Sequence, residues 1–281
     1  MYEGQDRSIF APTSWNKMRK RKGEGNRMKT GNVGYGNVGK AMHKICKEAV
    51  IYDKYLKLGT QEEINSCDIV FVCVPTPQKK GGYCDTSAVE EVIRWVESKA
   101  IGLRSTVYVG FTDEMSKKYN KEIIFQPENY GETVAHPFAD LNERKWLAFG
   151  GTKRGIDLAI RAYQDVINSN VRIYQSDAKD VEMAKYMENA FLALKVTFCN
   201  EMYDIAKSLG SDYNRAREIW TADPRIGTSH TFVYADKRGY GGSCLPKDIA
   251  SIVAQANDSD TDCTLLESVI RKTAMYQGKT K

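Results

Sequence analysis

Three groups of residues have the types and spacings that chemistry requires. The most informative is Gly239-Tyr240-Gly241-Gly242-Ser243-Cys244-Leu245-Pro246-Lys247-Asp248. Three glycines in four positions let a backbone wrap closely around a ligand. The cysteine that follows is flanked by a cation and a carboxylate. Cations near a thiol favour the thiolate, which is the attacking species. A free cysteine more often ends as a small buried hydrophobe. That bland reading fits Cys46, Cys67, Cys73, Cys84, Cys199 and Cys263, and is set aside only for Cys244, because glycines and charges surround it. The second group is Lys185 and Asn189, four residues apart and therefore on one face if the segment is helical. An ammonium beside an amide suits an oxyanion or hydroxyl; the bland alternative is a solvated helix face. The third is Gly34-Tyr35-Gly36-Asn37-Val38-Gly39, a GxGxxG pattern. Its glycines would give a tight turn, close backbone approach to a pyrophosphate and close helix–strand packing, with the helix N-terminus supplying amides. Asp53, 19 residues after Gly34, ends the next apolar run. A carboxylate there binds ribose hydroxyls and repels a 2′-phosphate, which favours NAD over NADP. The alternative is a glycine-rich turn that holds no ligand.

These residues need elements to position them. Short apolar runs alternate with helical stretches from about residue 29 to 175. Residues 50–52, 69–74, 106–109, 123–125, 146–149 and 171–174 read as buried strands, and 87–99 and 155–168 as helices. Continuous apolar strands imply a parallel sheet covered on both faces, an N-terminal Rossmann-type doubly wound α/β domain. The strand before the glycine loop is unexpectedly polar, Lys29-Thr30-Gly31-Asn32-Val33. From Ser176 onward the strand pattern stops. A long helix is expected over about 180–209, with Met183, Met187, Phe191, Leu194, Phe198, Met202 and Ile205 as a core-facing stripe. The expectation is that this stripe buries against a second copy, giving a homodimer. A last helix starts near Thr264. The expected organisation is a basic tail over 1–28, a nucleotide-binding domain over 29–175 and a mainly helical central domain over 176–281, serving dimerisation and catalysis.

Composition narrows the partners. The 281 residues are 42% hydrophobic and 27% charged, ordinary for a globular protein. No run of about 18 apolar residues suggests a membrane span, and the N-terminus has no apolar signal core. The net charge of +5 is carried by residues 1–29, which hold eight Lys/Arg and three acids, so the remainder is neutral. A basic surface for nucleic acid is therefore not expected outside the tail. The run Lys17-Met18-Arg19-Lys20-Arg21-Lys22 reads as a solvated extension, the functional alternative being a nucleic-acid contact or a targeting signal. Seven cysteines without a CxxC pair point to free thiols in a reducing cytoplasm. His43, His136 and His230 share no zinc spacing with them, so no metal is expected.

The chain resembles the nucleotide-sugar dehydrogenase (UDP-glucose/GDP-mannose dehydrogenase) family. The resemblance rests on the glycine loop, Val74-Pro75-Thr76-Pro77, Ser105-Thr106-Val107 with Gly110-Phe111-Thr112, and Pro127-Glu128 with Glu132. Lys185 with Asn189, Asn200-Glu201, Asp223-Pro224-Arg225-Ile226-Gly227 and the Cys244 loop continue it in family order to about residue 270. It implies a two-step, NAD-dependent oxidation of a sugar C6 alcohol, UDP-glucose being the expected substrate, to a carboxylate. Cys244 would capture the aldehyde as a thiohemiacetal, which becomes a thioester that water cleaves. Lys185 and Asn189 would stabilise charge on oxygen, Asp248 and Glu132 would manage water and protons, and Thr106 would position a water. The same resemblance sets Gly34, Gly36, Asn37, Val38, Gly39, Asp53, Thr76, Thr106 and Glu132 around NAD. It sets Glu128, Lys185, Asn189, Arg225, Tyr240, Gly241 and Lys247 around the sugar nucleotide, Arg225 often across a dimer contact.

Four departures bear on these expectations. Family members continue into a C-terminal domain that binds the nucleotide half, and this sequence stops at the start of the connecting helix. The first strand is polar. Asn129-Tyr130-Gly131 replaces the usual apolar pair and arginine, and only 14 residues separate Asp53 from Asp68. Two other readings stand beside the dehydrogenase: a non-catalytic or partner-dependent NAD-binding subunit, and a β-hydroxyacid dehydrogenase, which has no role for the cysteine loop.

Overall fold

The computed structural model describes residues 28–128, 146–164 and 171–278. The basic tail, Glu132 and Asn129-Tyr130-Gly131 lie outside the described residues. The chain divides into two compact units. One comprises the chain up to Thr76 with Asp85–Ala184, the other Pro77–Cys84 with Lys185 onward. The sequence puts the division at 175/176; the compact units divide within the long helix and give Pro77–Cys84 to the second.

The first unit is built on a seven-stranded sheet of order β2-β1-β3-β4-β5-β6-β7. Its strands are β1 (Thr30–Val33), β2 (Val50–Tyr52), β3 (Ile69–Val72), β4 (Ala100–Leu103), β5 (Ile123–Phe125), β6 (Trp146–Gly150) and β7 (Arg172–Ser176). Neighbours run parallel except β5 and β6, which are antiparallel. Helices α1 (Asn37–Ile45), α2 (Gln61–Asn65), α3 (Ser87–Trp95), α4 (Phe111–Tyr119) and α5 (Lys153–Tyr163) connect them. One apolar cluster packs Val33, Val70 and Val72 under α3 and α4. Another packs Ile69 and Phe71 under α1 and α5. Both sheet faces are thus covered, which is the expected doubly wound arrangement, and the short spacing after Asp53 leaves room only for the five residues of α2.

The polar first strand lies between β2 and β3 in this sheet, and all four of its residues are buried. Its backbone is paired on both sides, and Asn32 Nδ2 donates to the Gly39 carbonyl at 2.9 Å, tying the strand to the start of α1. Through its nitrogen the buried amide bridges strand and helix. The expected strand at 106–109 is a correction. The strand is Ala100–Leu103, and Thr106–Val109 forms the loop that follows it. On either side, the neighbouring chains reach Pro75 and Pro127, which cannot donate to a ladder, so β4 runs out of partners. Gly102 belongs in the strand because a Cβ there would lie 2.7 Å from the Phe71 ring. Val107 plugs the core from the loop, fully buried.

Helix α6 (Ala178–Ser208) begins in the first unit, and from Lys185 onward it belongs to the second. There it is joined by α7 (Tyr213–Thr221), α8 (Leu245–Asp258) and α9 (Thr264–Tyr276). Ala190, Ala193, Tyr240, Ile249 and Val269 form the second unit's apolar centre. The Met/Phe stripe is not in that centre: Met187 is 65% and Phe191 61% exposed, and Phe198, Met202 and Ile205 also face out. The buried face is instead Tyr186, Asn189, Ala190, Ala193, Thr197 and Asn200. The apolar period of the helix thus marks an exposed face and not the one that packs in this unit. No helix among the described residues is long and apolar enough to cross a membrane.

Candidate active site

In the first unit the chain leaves β1 for β2 on one side and reaches β3 on the other, so the sheet has a switch point between β1 and β3. Ligands of open α/β sheets bind at the carboxyl ends of strands at such a point. The glycine loop lies there. Gly34 has φ +94°, and a Cβ on it would come within 2.7 Å of the Cys73 carbonyl. A Cβ on Gly39 would come within 1.9 Å of the Gly34 carbonyl, so helix and loop touch backbone to backbone. At Gly36 nothing lies within 4 Å of an added Cβ. Gly36 is also the N-cap of α1 and offers no side-chain cap, which leaves the first amides of the helix for an anion. Asn37 is exposed and Val38 half-buried, its side chain against the apolar cluster. This cradle fits the diphosphate of a dinucleotide.

Asp53 closes the other side. Its carboxylate accepts from Tyr35 N at 2.8 Å and from Tyr55 N and Leu56 N at 2.9 Å. Burial works against its ionisation, but the amides of Leu56, Tyr35 and Tyr55 more than offset this and hold the carboxyl below its usual range. An ionised carboxylate with free lone pairs suits ribose hydroxyls. Thr76 follows β3 and is buried; Thr106 follows β4 and is half-buried. The two loops are tied together, since Ser105 Oγ donates to the Val74 carbonyl at 2.6 Å. Glu182 of α6 anchors the far end of the Thr106 loop, accepting from Gly110 N, Thr112 N and Thr112 Oγ1 at 2.5, 3.0 and 2.6 Å. Glu128, after β5, is buried and ion-paired with Arg104. Arg104 is a residue that sequence reasoning passed over. A charge closing the apolar run Ile101-Gly102-Leu103 is the signal that could have found it.

The second unit gathers the other predicted residues. Cys244 is the N-cap of α8 and is exposed, with Ser243 Oγ 3.6 Å from its sulfur. The other thiols are buried, apart from Cys263, which is half-exposed at the start of α9 rather than buried as expected. Burial pushes the Cys46 thiol up to about 11 and the Cys73 thiol up to about 12, which makes them inert. Helix α8, which the sequence reading did not foresee, turns Lys247 and Asp248 inward, and Asp248 N donates to the Cys244 carbonyl at 2.9 Å. Asp248 is 1% exposed. It accepts from Lys247 Nζ and, at 2.5 Å, from Asn189 Nδ2. Lys185 Nζ lies 3.5 Å from Asn189 Oδ1 and 3.0 Å from Glu188 Oε2. Its side chain is only 11% exposed, so Lys185 does not sit on a solvated face. Burial works against the Lys247 ammonium, but the Asp248 carboxylate and the Cys84 sulfur more than offset it and raise its pKa.

Gly241 and Gly242 have nothing within 4 Å of an added Cβ, and Gly242 has φ +81°, so the loop before Cys244 presents bare backbone. Tyr240 is 4% exposed, its ring packed in the apolar centre. Arg225 stands apart from the cluster: exposed, it is bonded to Asp223 two residues away, Nη2 to Oδ2 at 2.5 Å. Among the described residues, no group of three or more His, Cys, Asp or Glu could hold a metal.

Comparison with known proteins finds two domains of one family along the chain. The NAD binding domain of the UDP-glucose/GDP-mannose dehydrogenase family matches residues 35–140, and the central domain of the same family matches residues 179–273. UDP-glucose 6-dehydrogenase YwqF of Bacillus subtilis is 31% identical over 221 residues, which cover 75% of this chain and 49% of that protein. GDP-mannose 6-dehydrogenase of Pseudomonas syringae is 29% identical, with 75% of this chain and 51% of that one covered. The chain therefore spans about half the length of the curated relatives it matches. A UDP-glucose dehydrogenase from Pyrobaculum islandicum has the same fold, with a TM-score of 0.77 at 22% identity over 90% of this chain and 69% of that one.

Proposed function

Because the chain belongs to the UDP-glucose/GDP-mannose dehydrogenase family and carries its NAD-binding domain, we propose that it performs the chemistry of a nucleotide-sugar 6-dehydrogenase. The sugar C6 alcohol, UDP-glucose being the first candidate, is oxidised twice to the uronate. The observation that carries this reading is the buried Lys185–Asn189–Asp248–Lys247 cluster, joined through the first turn of α8 to an exposed cysteine. A β-hydroxyacid dehydrogenase has no use for such a thiol.

In the first unit, the Gly34–Gly39 loop, Asn37 and Val38 hold the diphosphate, Asp53 the ribose, and Thr76, Thr106 and Glu132 the remainder of NAD. Bound NAD⁺ supplies the hydride acceptor for both oxidations. In the second unit, the Cys244 sulfur adds to the aldehyde carbon formed first, and its proton passes to the carbonyl oxygen. Capture holds a reactive aldehyde on the protein. Hydride loss from this thiohemiacetal leaves a thioester, with the hydroxyl proton released to base. Water then attacks the acyl carbon, expelling the thiol and leaving the acid. Lys185 and Asn189 meet the charge that develops on oxygen, and Asp248 and Glu132 take and return protons, with Thr106 orienting water. Glu128, Tyr240, Gly241 and Lys247 belong to the sugar side, and Arg225 reaches it from a second copy. Free thiols and a nucleotide-sugar substrate support a cytoplasmic location for this chemistry.

The deciding measurement is NADH formation by the purified chain with a panel of UDP- and GDP-sugars. Two NADH per sugar consumed supports the reading. No NADH with any sugar, from protein that binds NAD, overturns it in favour of a non-catalytic or partner-dependent subunit.

The same proposal assigns the exposed stripe of α6 to a homodimer. Sedimentation at micromolar concentration is expected to give a dimer. Phe191→Lys with Met187→Lys removes two large apolar side chains worth about 1.5–3 kcal/mol each when buried. Dimer association should then weaken at least a hundredfold. A wild-type monomer at these concentrations contradicts the assignment.

A further inference from the structure

One buried thiol of the second unit is not used by any of the roles above. Cys84 ends the segment Pro77–Cys84 and is 5% exposed. It does not sit among apolar side chains alone. Lys247 Nζ donates to its sulfur at 3.4 Å. The Tyr186 hydroxyl lies 3.7 Å from the same sulfur and 3.1 Å from Ser251 Oγ, and both of these residues are buried. Through Lys247 the sulfur is linked to Asp248, and through Asp248 to Asn189.

A lysine ammonium is a point charge on a flexible four-carbon stem, so one partner does not fix it. Asp248 is held by Asn189 of α6 and gives Lys247 one anchor, on the same turn of α8. Cys84 comes from a distant part of the chain and supplies the second, independent anchor. Sulfur is a weak neutral acceptor, which lets it hold the ammonium without competing with Asp248 for its charge. Resting on the dehydrogenase reading, we propose that Cys84 is a positioning residue whose sulfur pins the Lys247 ammonium against Asp248 and so fixes the sugar-side geometry of the cluster.

The test compares Cys84→Ala and Cys84→Ser with the wild-type chain by two readouts. One is the rate at which acetic anhydride acetylates Lys247, mapped by peptide mass spectrometry; it needs no turnover. In Cys84→Ala the freed amine should react about tenfold faster, the scale of one hydrogen bond to a charged group. Cys84→Ser, whose hydroxyl accepts the same bond, should stay within about twofold of wild type. The other readout is steady-state kinetics with UDP-glucose. KM should rise about tenfold in the alanine variant with kcat within about twofold, and serine should restore it. Equal acetylation of Lys247 in wild type and Cys84→Ala overturns the proposal, as does serine behaving like alanine. If the wild-type chain turns over no sugar, the dehydrogenase reading fails while the acetylation rates still decide the role of Cys84.

Discussion

Cys244→Ser is expected to lower steady-state NADH formation with UDP-glucose by about a thousandfold or more, the scale seen when a covalent nucleophile is removed. The expectation rests on where Cys244 sits. Of the described cysteines, it alone is exposed, and it caps α8, whose first turn delivers Lys247 and Asp248 to the buried cluster. A serine hydroxyl can occupy the same space, yet at its ordinary acidity it neither captures an aldehyde efficiently nor leaves well from an acyl group. The loss should fall on the second oxidation. Rapid mixing of the variant with excess NAD⁺ should therefore yield at most one NADH per sugar, with aldehyde trappable by a carbonyl reagent. A β-hydroxyacid dehydrogenase on this fold would keep its activity in Cys244→Ser. Full two-NADH turnover by the serine variant would falsify covalent capture at this position.

What could be read in the sequence was local. The glycine loop, the distance to Asp53 and the Cys244 segment depend on residues within a turn or a βαβ unit, and the structure places the loop and Asp53 at the carboxyl ends of β1 and β2. What was misread depended on neighbours far along the chain. Thr106–Val109 is as apolar as a strand, but strand formation needs partners, and β3 and β5 end at Val72 and Phe125, shortly before Pro75 and Pro127. The polar β1 was suspect by composition, and only the contact of Asn32 with the Gly39 carbonyl explains it. On α6 the 3.6-residue period appears in two stripes. The apolar one faces outward and the one rich in Ala, Asn and Thr is buried, because the second unit packs its small residues closely and bonds its polar ones, Asn189 to Asp248, Thr197 to Thr273 and Asn200 to Arg238. Helix α8 escaped notice because its start, Cys244-Leu245-Pro246, reads as the end of a glycine loop, whereas proline is well suited to a first helical turn.

Arg104→Met should destabilise the protein by about 3–5 kcal/mol, the cost of leaving one partner of a buried ion pair behind. Arg104 is 2% exposed. Its guanidinium holds Glu128 through Nη2, and Nη1 donates to the Tyr163 hydroxyl at 2.6 Å, which in turn donates to Gln126 Oε1 at 2.5 Å. Burial works against the guanidinium charge, but Glu128, Tyr163 and Cys73 more than offset it, so the arginine stays firmly protonated. Methionine fills a similar volume and removes the charge that is paired with the buried Glu128 carboxylate. The sign of the pH effect follows. Without its guanidinium, Glu128 should titrate above the unfolded value of about 4.3. The folded variant then binds more protons than the unfolded chain between that value and the raised one, so its unfolding free energy should increase as pH falls through the raised pKa. Wild type should not gain in this way. Urea unfolding at neutral and at mildly acidic pH reads both effects. Adding Glu128→Leu to Arg104→Met should recover most of the lost stability, since a pair replaced whole by apolar groups costs little. A single variant as stable as wild type at neutral pH would mean that the pair contributes nothing to holding Glu128 at the end of β5. The placement of Glu128 would then have to come from contacts other than Arg104.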